Sequence, residues 1–599
     1  MLAVTVSAAK QRQNLWSIAP LAPLRPGWQE VALLSSIGMF LMIRLAITLT
    51  PLALLAACTS GSNDTAAIPS AAIPDVAIPE ISLKTMQDVV STLASDAFEG
   101  RSPGTAGEEK TVALLIERFK AAGLQPGNKG SWTQDVPLVE MTAQNVSALT
   151  FTGGKAPLSL SYGTQFVAGS YRVQPNVAIK DSDVVFVGYG INAPEKDWND
   201  YAGLDVKGKT VVILVNDPDW QTVETKGAFN GRAMTYYGRW TYKFEEAARQ
   251  GAAAALIVHD TEPAAYGWNV VQSSWTGTQY LAATADNGAD QTAANGWLQL
   301  DQTKALFAGA GQDFAALRDA AKKKGFKAVP LTGVRASLSF NNAIVRKMSK
   351  NVIAMLAGTK RADEHVLYTA HWDHLGRCEA VNGDNICNGA IDNATGTAAL
   401  VALAEAHAKA GAPERSLVFL AVTAEESGLL GSKYYAQNPV FPLNQTVGGV
   451  NMDALTGSGA ARDIIVIGRG KSELEAYLAK AVAAEKRVVV DEPTPEKGFY
   501  YRSDHFSLAK LGVPMIYFDG GEDLIDGGTA AGKAWAANYT ENQYHAPSDD
   551  MSAITSWDGM MADLRLYYAV GRMLAMSDAW PNWVEGDEFR SVRDASRAK

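Results

Sequence analysis

The chain carries no basic stripe. Its 53 lysines and arginines are outnumbered by 63 aspartates and glutamates, a net charge of −10, and without a cationic face nucleic acid is not expected as a partner. The acidity is mild and dispersed, so it bears on solubility and not on function. No internal repeat of solenoid type is present. The apolar run Leu45–Ala57 has thirteen residues, too few to cross a bilayer comfortably. Extending it back to Val31 would bury Arg44 in the middle of a membrane, which is costly. Cysteine is scarce: Cys58, Cys378 and Cys387 are the three in 599 residues. What remains is 47% hydrophobic and 19% charged, ordinary for a globular protein. The length exceeds what one hydrophobic core serves, so two or three domains are expected.

Met42-Ile43-Arg44 is a short cationic start to the apolar run, which ends Leu55-Ala56-Ala57-Cys58 before a Thr/Ser/Gly/Asn/Asp stretch. A charged start, an apolar centre and a small-residue end make an export signal. The pattern resembles a bacterial lipoprotein signal, which implies lipid on Cys58 and membrane attachment through it. The expected location is the cell envelope, on the periplasmic face of a Gram-negative outer membrane. Residues before Met42 then precede the true start. In that oxidising setting Cys378 and Cys387, nine positions apart in a Gly/Asn/Asp-rich loop, are expected to be bridged.

The texture divides the chain into a signal region (1–57), a flexible Ala/Pro/Ser/Ile tether (58–80), a first part of the main domain (81–144), a β-rich insert (145–345), the remainder of the main domain (346–580) and a tail (581–599). Thr105–Ala122 has apolar residues at helical spacing and closes on Gly123. The insert carries strand-like runs at 182–188 and 209–215 and no cluster of histidines and carboxylates. From Asn351 strands and helices alternate. This predicts an α/β fold: a mixed, mainly parallel sheet with helices on both faces.

Five short stretches of the second half carry the chemistry: YTAHWDH (His371, Asp373), NGAIDNATG (Asp392), AVTAEESG (Glu425, Glu426), NMDALT (Asp453) and YHAPSDD (His545). His371, Glu425, Glu426 and Asp453 each fall just past an apolar strand, and open α/β sheets bind ligands at the carboxyl ends of their strands. Taken singly, each has a plainer reading as a helix cap, a turn residue or a solvated helix start. Together they are the inventory of a two-metal hydrolytic site. Zinc takes His nitrogen and carboxylate oxygen, and a pair of ions needs one bridging carboxylate plus a His and a carboxylate each. His371 and Asp453 serve one ion, Glu426 and His545 the other, with Asp392 between. Glu425 is left beside them as general base, and Asp373 is placed to orient the His371 ring.

These segments, with AFEGRSPGTAGEE near the front and RSDHFSLAKLGVP at Arg502–Pro514, resemble the zinc-dependent exopeptidases that include bacterial leucyl aminopeptidase and aminopeptidase Y. The resemblance covers roughly Ser82–Ala579. It implies two zinc ions, metal ligands at His371, Asp392, Glu426, Asp453 and His545, a base at Glu425, and a cis peptide bond after Asp392. It also implies a tyrosine that stabilises the oxyanion, at Tyr500 or at its neighbour Tyr501. The substrate would be peptide or protein N-termini. VGYGI and DYAGLDVKGKTVVILVNDPD in the insert resemble a protease-associated (PA) domain. Three alternatives share the scaffold: a carboxypeptidase of glutamate-carboxypeptidase type, for which no carboxylate-gripping basic residues stand out; a one-zinc glutaminyl cyclase, against which the large insert argues; and a non-catalytic binding protein, against which the filled ligand positions argue.

Overall fold

The computed structural model describes residues 73–598. The expected signal region, Cys58 and most of the tether lie outside the described residues. Among the described residues no helix is long and apolar enough to cross a membrane.

The sheet that positions the site is built around three parallel strands. Arg361–His371 lies in the middle. Arg415–Val422 pairs with it on one side and Thr446–Asn451 on the other, both parallel. Met515–Gly520 extends the sheet in parallel beyond Thr446–Asn451, and Asp463–Val466 follows antiparallel. On the opposite edge Val352–Leu356 pairs antiparallel with Leu417–Ala421. The sheet is therefore mixed and mainly parallel. Its central strands read as continuous apolar runs because both faces are covered; every residue of Arg415–Val422 is buried.

The helix Gly396–Lys409 is buried on nearly every side, from Gly396 to Ala404 without a break, as expected for a helix enclosed by other elements. It packs against the sheet together with Asp558–Met576, which also buries most of its length. Their side chains join those of the N-terminal helices Leu83–Leu93 and Ala106–Ala121 in one core. The N-terminal segment is thus part of the main domain, not an appendage.

The insert is joined to this domain by backbone pairing and not by a linker. One 28-residue strand, Val329–Leu356, runs from the insert into the main sheet. Thr133–Gln144 pairs with its second half over residues 341–352, and its first half pairs with Asn176–Phe186 inside the insert. The expected boundary at residue 345 falls within this strand. Strands predominate in the insert, but four of them (Asn176–Phe186, Thr210–Leu214, Ala254–His259, Ala294–Gln299) run parallel. Helices such as Trp240–Arg249 lie between them, since parallel neighbours require crossovers.

Candidate metal centre

The chain passes through the middle strand first, then one neighbour, then the other. Successive connections therefore diverge, and a crevice opens at the carboxyl ends of the three strands. His371 is the last residue of the middle strand. Glu425 and Glu426 follow the strand ending at Val422, and Asp453 follows the strand ending at Asn451. Asp392 enters from the loop before the helix Gly396–Lys409, and His545 from the loop after Gly528–Asn542. Ala424, Ala454 and His545 itself have left-handed backbone, with φ of 52°, 53° and 58°. That region costs a residue with a Cβ about 1 kcal/mol or more and tends to persist at functional sites. The peptide bond between Asp392 and Asn393 is cis.

Asp392 divides its two oxygens. Oδ1 lies 3.3 Å from His371 Nε2, and Oδ2 lies 3.3 Å from His545 Nε2. Asp453 Oδ1 stands 3.0 Å from the same His371 nitrogen, and Glu426 Oε2 stands 3.0 Å from the same His545 nitrogen. The result is two His-plus-carboxylate halves sharing one carboxylate. The tautomer fits as well: His371 Nδ1 donates to the Asp373 carbonyl at 3.2 Å, leaving the Nε2 lone pair directed at two carboxylates. A nitrogen lone pair among carboxylate oxygens is satisfied by a cation, and the open set of nitrogen and oxygen donors is the kind zinc takes. The donors present therefore fit a pair of zinc ions.

The electrostatics express the same surplus of negative charge. Burial opposes protonation of His371, yet Asp453, Glu425 and the hydrogen-bonded carboxylates raise it well above its ordinary value. His545 is likewise raised to about 10, with Glu426 and Asp392 outweighing burial. The adjacent glutamates separate. Burial, with Asp453, Glu426 and Asp504, holds Glu425 well above the carboxyl range against the pull of His371. Glu426, despite its burial, is drawn down to about 2 by His545 and His374.

Glu425 lies 3.9 Å from His371 Nε2 and forms no ion pair with His545 among the described residues. Its backbone N–H donates to Asp373 Oδ1 at 3.1 Å. Asp373 thus holds both the His371 ring, through its carbonyl, and the turn that carries Glu425.

Three residues at the centre were not legible as such from the sequence. His374 Nδ1 lies 2.6 Å from Glu426 Oε1, and its ring occupies the space where a Cβ on Gly389 would stand, 2.5 Å away. His374 belongs to one of the His/carboxylate groups fit to hold a metal, with Asp392 and Glu426. His545, however, reaches both Glu426 and Asp392 directly, so His545 is the better ligand and His374 orients Glu426. Arg101, fully buried, donates to the carbonyls of Trp372 (2.9 Å), Leu93 (2.7 Å), Asn388 (2.6 Å) and Gly389 (2.9 Å). It ties the front of the chain to the loops bearing His371 and Asp392. Gly100 beside it has φ +65°, and a Cβ there would meet the Cys387 carbonyl at 2.4 Å, which explains the glycine.

Asp549 is the third. Its Oδ1 accepts from the Ile391 N–H at 2.9 Å and its Oδ2 from the Asp392 N–H at 3.1 Å. It therefore fixes the backbone that presents Asp392 to both halves. Partners of ligands typically contribute 10–100-fold to metal affinity. Asp549→Ala is expected to weaken zinc binding by about that factor, as measured by competition with a chromogenic chelator. Unchanged affinity would remove Asp549 from the centre.

The structure does not bring Tyr500 to the crevice. Its hydroxyl is sealed from solvent with no hydrogen-bond partner among the described residues, and its ring packs with Tyr501, Phe506, Trp583 and Phe589. Tyr501 donates to Glu588 at 2.8 Å. Both rings follow the short helical turn Phe499–Tyr501 into an aromatic cluster. The phenol that belongs to the crevice is Tyr544. It is exposed and stacks on His545 at 3.9 Å between centroids, and it feels the charges of Asp392, Glu426, Glu425 and Asp453. Cys378 and Cys387 are bridged, and Cys387 Sγ lies 3.8 Å from the His545 carbonyl. The hairpin formed by Gly376–Val381 and Asp384–Cys387 thus abuts the His545 loop.

Residues 351–568 match the model described as Peptidase family M28. Among curated proteins the chain is similar to aminopeptidase NAALADL1 of Mus musculus, 29% identical over 127 residues that are 20% of this chain and 16% of that protein. A glutamate carboxypeptidase 2 homolog of Caenorhabditis elegans is 28% identical over 134 residues, 21% of this chain and 16% of that one. A probable zinc metalloprotease of Pyricularia oryzae is 32% identical over 171 residues, 27% and 32% respectively. The chain spans between 16% and 32% of the length of these relatives. Among solved structures it is similar to an aminopeptidase from Aneurinibacillus sp. strain AM-1, at 21% identity and a TM-score of 0.47, over 84% of this chain and 95% of that one.

Proposed function

We propose that this chain, whose residues 351–568 form a domain of peptidase family M28, is a two-zinc aminopeptidase that hydrolyses N-terminal peptide bonds. The observation that carries this reading is the division of Asp392 between His371 and His545, each with its own second carboxylate. His371, Asp453 and Asp392 hold one ion; His545, Glu426 and Asp392 hold the other. When bound, the ions polarise the scissile carbonyl and make water acidic enough to attack near neutral pH.

The chain's own residues do the rest. Glu425 takes the proton of the attacking water and delivers it to the departing amine, since of the carboxylates around His371 Nε2 it stands farther off, at 3.9 Å against 3.0 and 3.3 Å for Asp453 and Asp392. Asp373 keeps Glu425 and the His371 ring in register. Tyr544 offers its phenol to the substrate at the rim, the task expected of Tyr500. The carboxylates gathered around His371 and His545 favour a substrate ammonium in the cleft. Export and lipid attachment at Cys58 remain part of this reading. The Cys378–Cys387 bridge supports it, since such bridges persist in oxidising compartments.

The test is a panel of peptides with free and acetylated N-termini, with and without a zinc chelator. Peptides with a free N-terminus should be shortened from that end, acetylated ones should resist, and the chelator should abolish cleavage. Release of C-terminal residues from acetylated peptides would replace the aminopeptidase reading with the carboxypeptidase one.

A further inference from the structure

Two guanidinium groups with no carboxylate at ion-pair distance among the described residues lie on the segments that join the insert to the Asp453 side of the crevice. Arg239 follows the turn Tyr236–Gly238 of the insert. Arg502 follows the turn Phe499–Tyr501 and immediately precedes Ser503, whose hydroxyl donates to Asp453 Oδ2 at 2.5 Å. The two segments are packed together. The rings of Tyr236 and Phe506 are 5.1 Å apart, Lys510 Nζ donates to Tyr236 Oη at 2.6 Å, and the Met234 N–H donates to the Pro495 carbonyl at 3.2 Å.

Arg239 is 8% exposed. Among the described residues neither its Nε nor that of Arg502 has a hydrogen-bond partner. Among the described residues no carboxylate stands within ion-pair distance of either group, although most arginines of this chain with comparable burial have acceptors; Arg101 and Arg415 each make four hydrogen bonds. Instead the two cations repel one another, and burial with that repulsion lowers Arg239 to about 9. Their surroundings are mostly aromatic: Tyr266 acts on both, Tyr544 acts on Arg502, and Arg502 lies over the Phe499 ring at 5.3 Å, while Glu492 acts on Arg502 from beyond ion-pair distance. Tyr544 is the same residue that feels the metal-site carboxylates.

Buried charges are as a rule paired, and two adjacent unpaired guanidiniums form a planar, multidentate receptor for a carboxylate. We infer that Arg239 and Arg502 form a carboxylate-binding subsite beside the hydrolytic centre, so that the preferred substrates are peptides with a carboxylate close to the scissile bond. This rests on the peptidase reading above and deepens it. The carboxylate has two sources, the free α-carboxylate of a short peptide or an Asp or Glu side chain. The insert, which contributes no ligand to the metal centre, here contributes half of the specificity.

The zinc-loaded protein tests this with two matched pairs. Ala-Ala against its C-terminal amide reads the α-carboxylate; Ala-Glu-amide against Ala-Gln-amide reads the side chain. In at least one pair the charged member should have the higher kcat/KM by about 10-fold or more, the discrimination typical of a charge-assisted bidentate contact. Arg239→Gln and Arg502→Gln should erase most of that ratio, and Arg239→Lys should keep part of it. Independently, glutarate should raise the melting temperature of the chelator-treated wild type and not of Arg239→Gln, with circular dichroism establishing that the variant is folded. Equal rates within both pairs, or a ratio that survives in the double glutamine variant, would overturn the subsite. If no peptide is cleaved at all, the hydrolase reading falls, and glutarate binding alone decides whether the arginines receive a carboxylate.

Discussion

Glu425→Gln is expected to lower kcat by about 10²–10⁴-fold, the contribution typical of a positioned general base, while both zinc ions stay bound. The amide keeps the shape of the side chain but neither accepts a proton from water nor returns one to the leaving amine. The metal should be retained because Glu425 stands outside the two ligand halves: its one ion-pair contact among the described residues is His371 Nε2 at 3.9 Å, against 3.0 and 3.3 Å for Asp453 and Asp392. Zinc stoichiometry by mass spectrometry under native conditions, together with steady-state kinetics, separates the two effects. A zinc-replete variant with the wild-type rate would falsify the assignment of Glu425. KM should change little, because the base acts in the transition state and not in holding the ground-state peptide.

Asp392→Ala should abolish turnover and release both ions together. Without Asp392 each half keeps one histidine and one carboxylate, short of the three protein ligands that a catalytic zinc needs. Loss of either outer carboxylate, Asp453 or Glu426, should by contrast weaken one ion before the other. The size of the stability effect should also depend on the metal. In excess zinc the wild type gains binding free energy on folding that the variant lacks; free zinc at 1,000 times Kd is worth about 4 kcal/mol for one site, so the wild type should melt higher. In chelator the gap should narrow, because Asp392 then contributes only its contacts with His371 and His545, offset by the crowding of carboxylates around it. Melting curves of both proteins with zinc and with chelator check this. A variant that still binds two ions would remove Asp392 from the bridge.

Much of the centre was legible in the sequence because its ligands sit where regular structure ends. His371, Glu425, Glu426 and Asp453 each terminate an apolar run, and an apolar run buried on both faces is a central parallel strand. Order along the chain then stands in for position in space. The supporting residues carry no such signal. Arg101 bonds to carbonyl oxygens 271, 287 and 288 positions away, and a carbonyl is the same in every residue. Asp549 sits four positions after His545, yet it acts on backbone N–H groups more than 150 residues earlier. His374 looks like a bystander until Gly389 lets its ring against Glu426. Tyr500 and Tyr501 show the opposite failure. A tyrosine beside the Ser503-Asp504-His505 stretch suggests a phenol over the cleft, but the short turn Phe499–Tyr501 sends both rings into an aromatic cluster instead.

By itself the sequence indicated the class of chemistry, the histidines and carboxylates that meet at the crevice, and the alternation of strands and helices. Each of these depends on local periodicity and on side-chain type. The tertiary structure decided how Asp392 shares its oxygens, which tyrosine meets the cleft, and that the insert grows from the main sheet through the strand Val329–Leu356. It also brought Arg239 and Arg502 together across 263 positions. Those outcomes depend on the directions in which loops leave the strand ends and on distances between remote segments, quantities that packing sets and spacing along the chain does not encode.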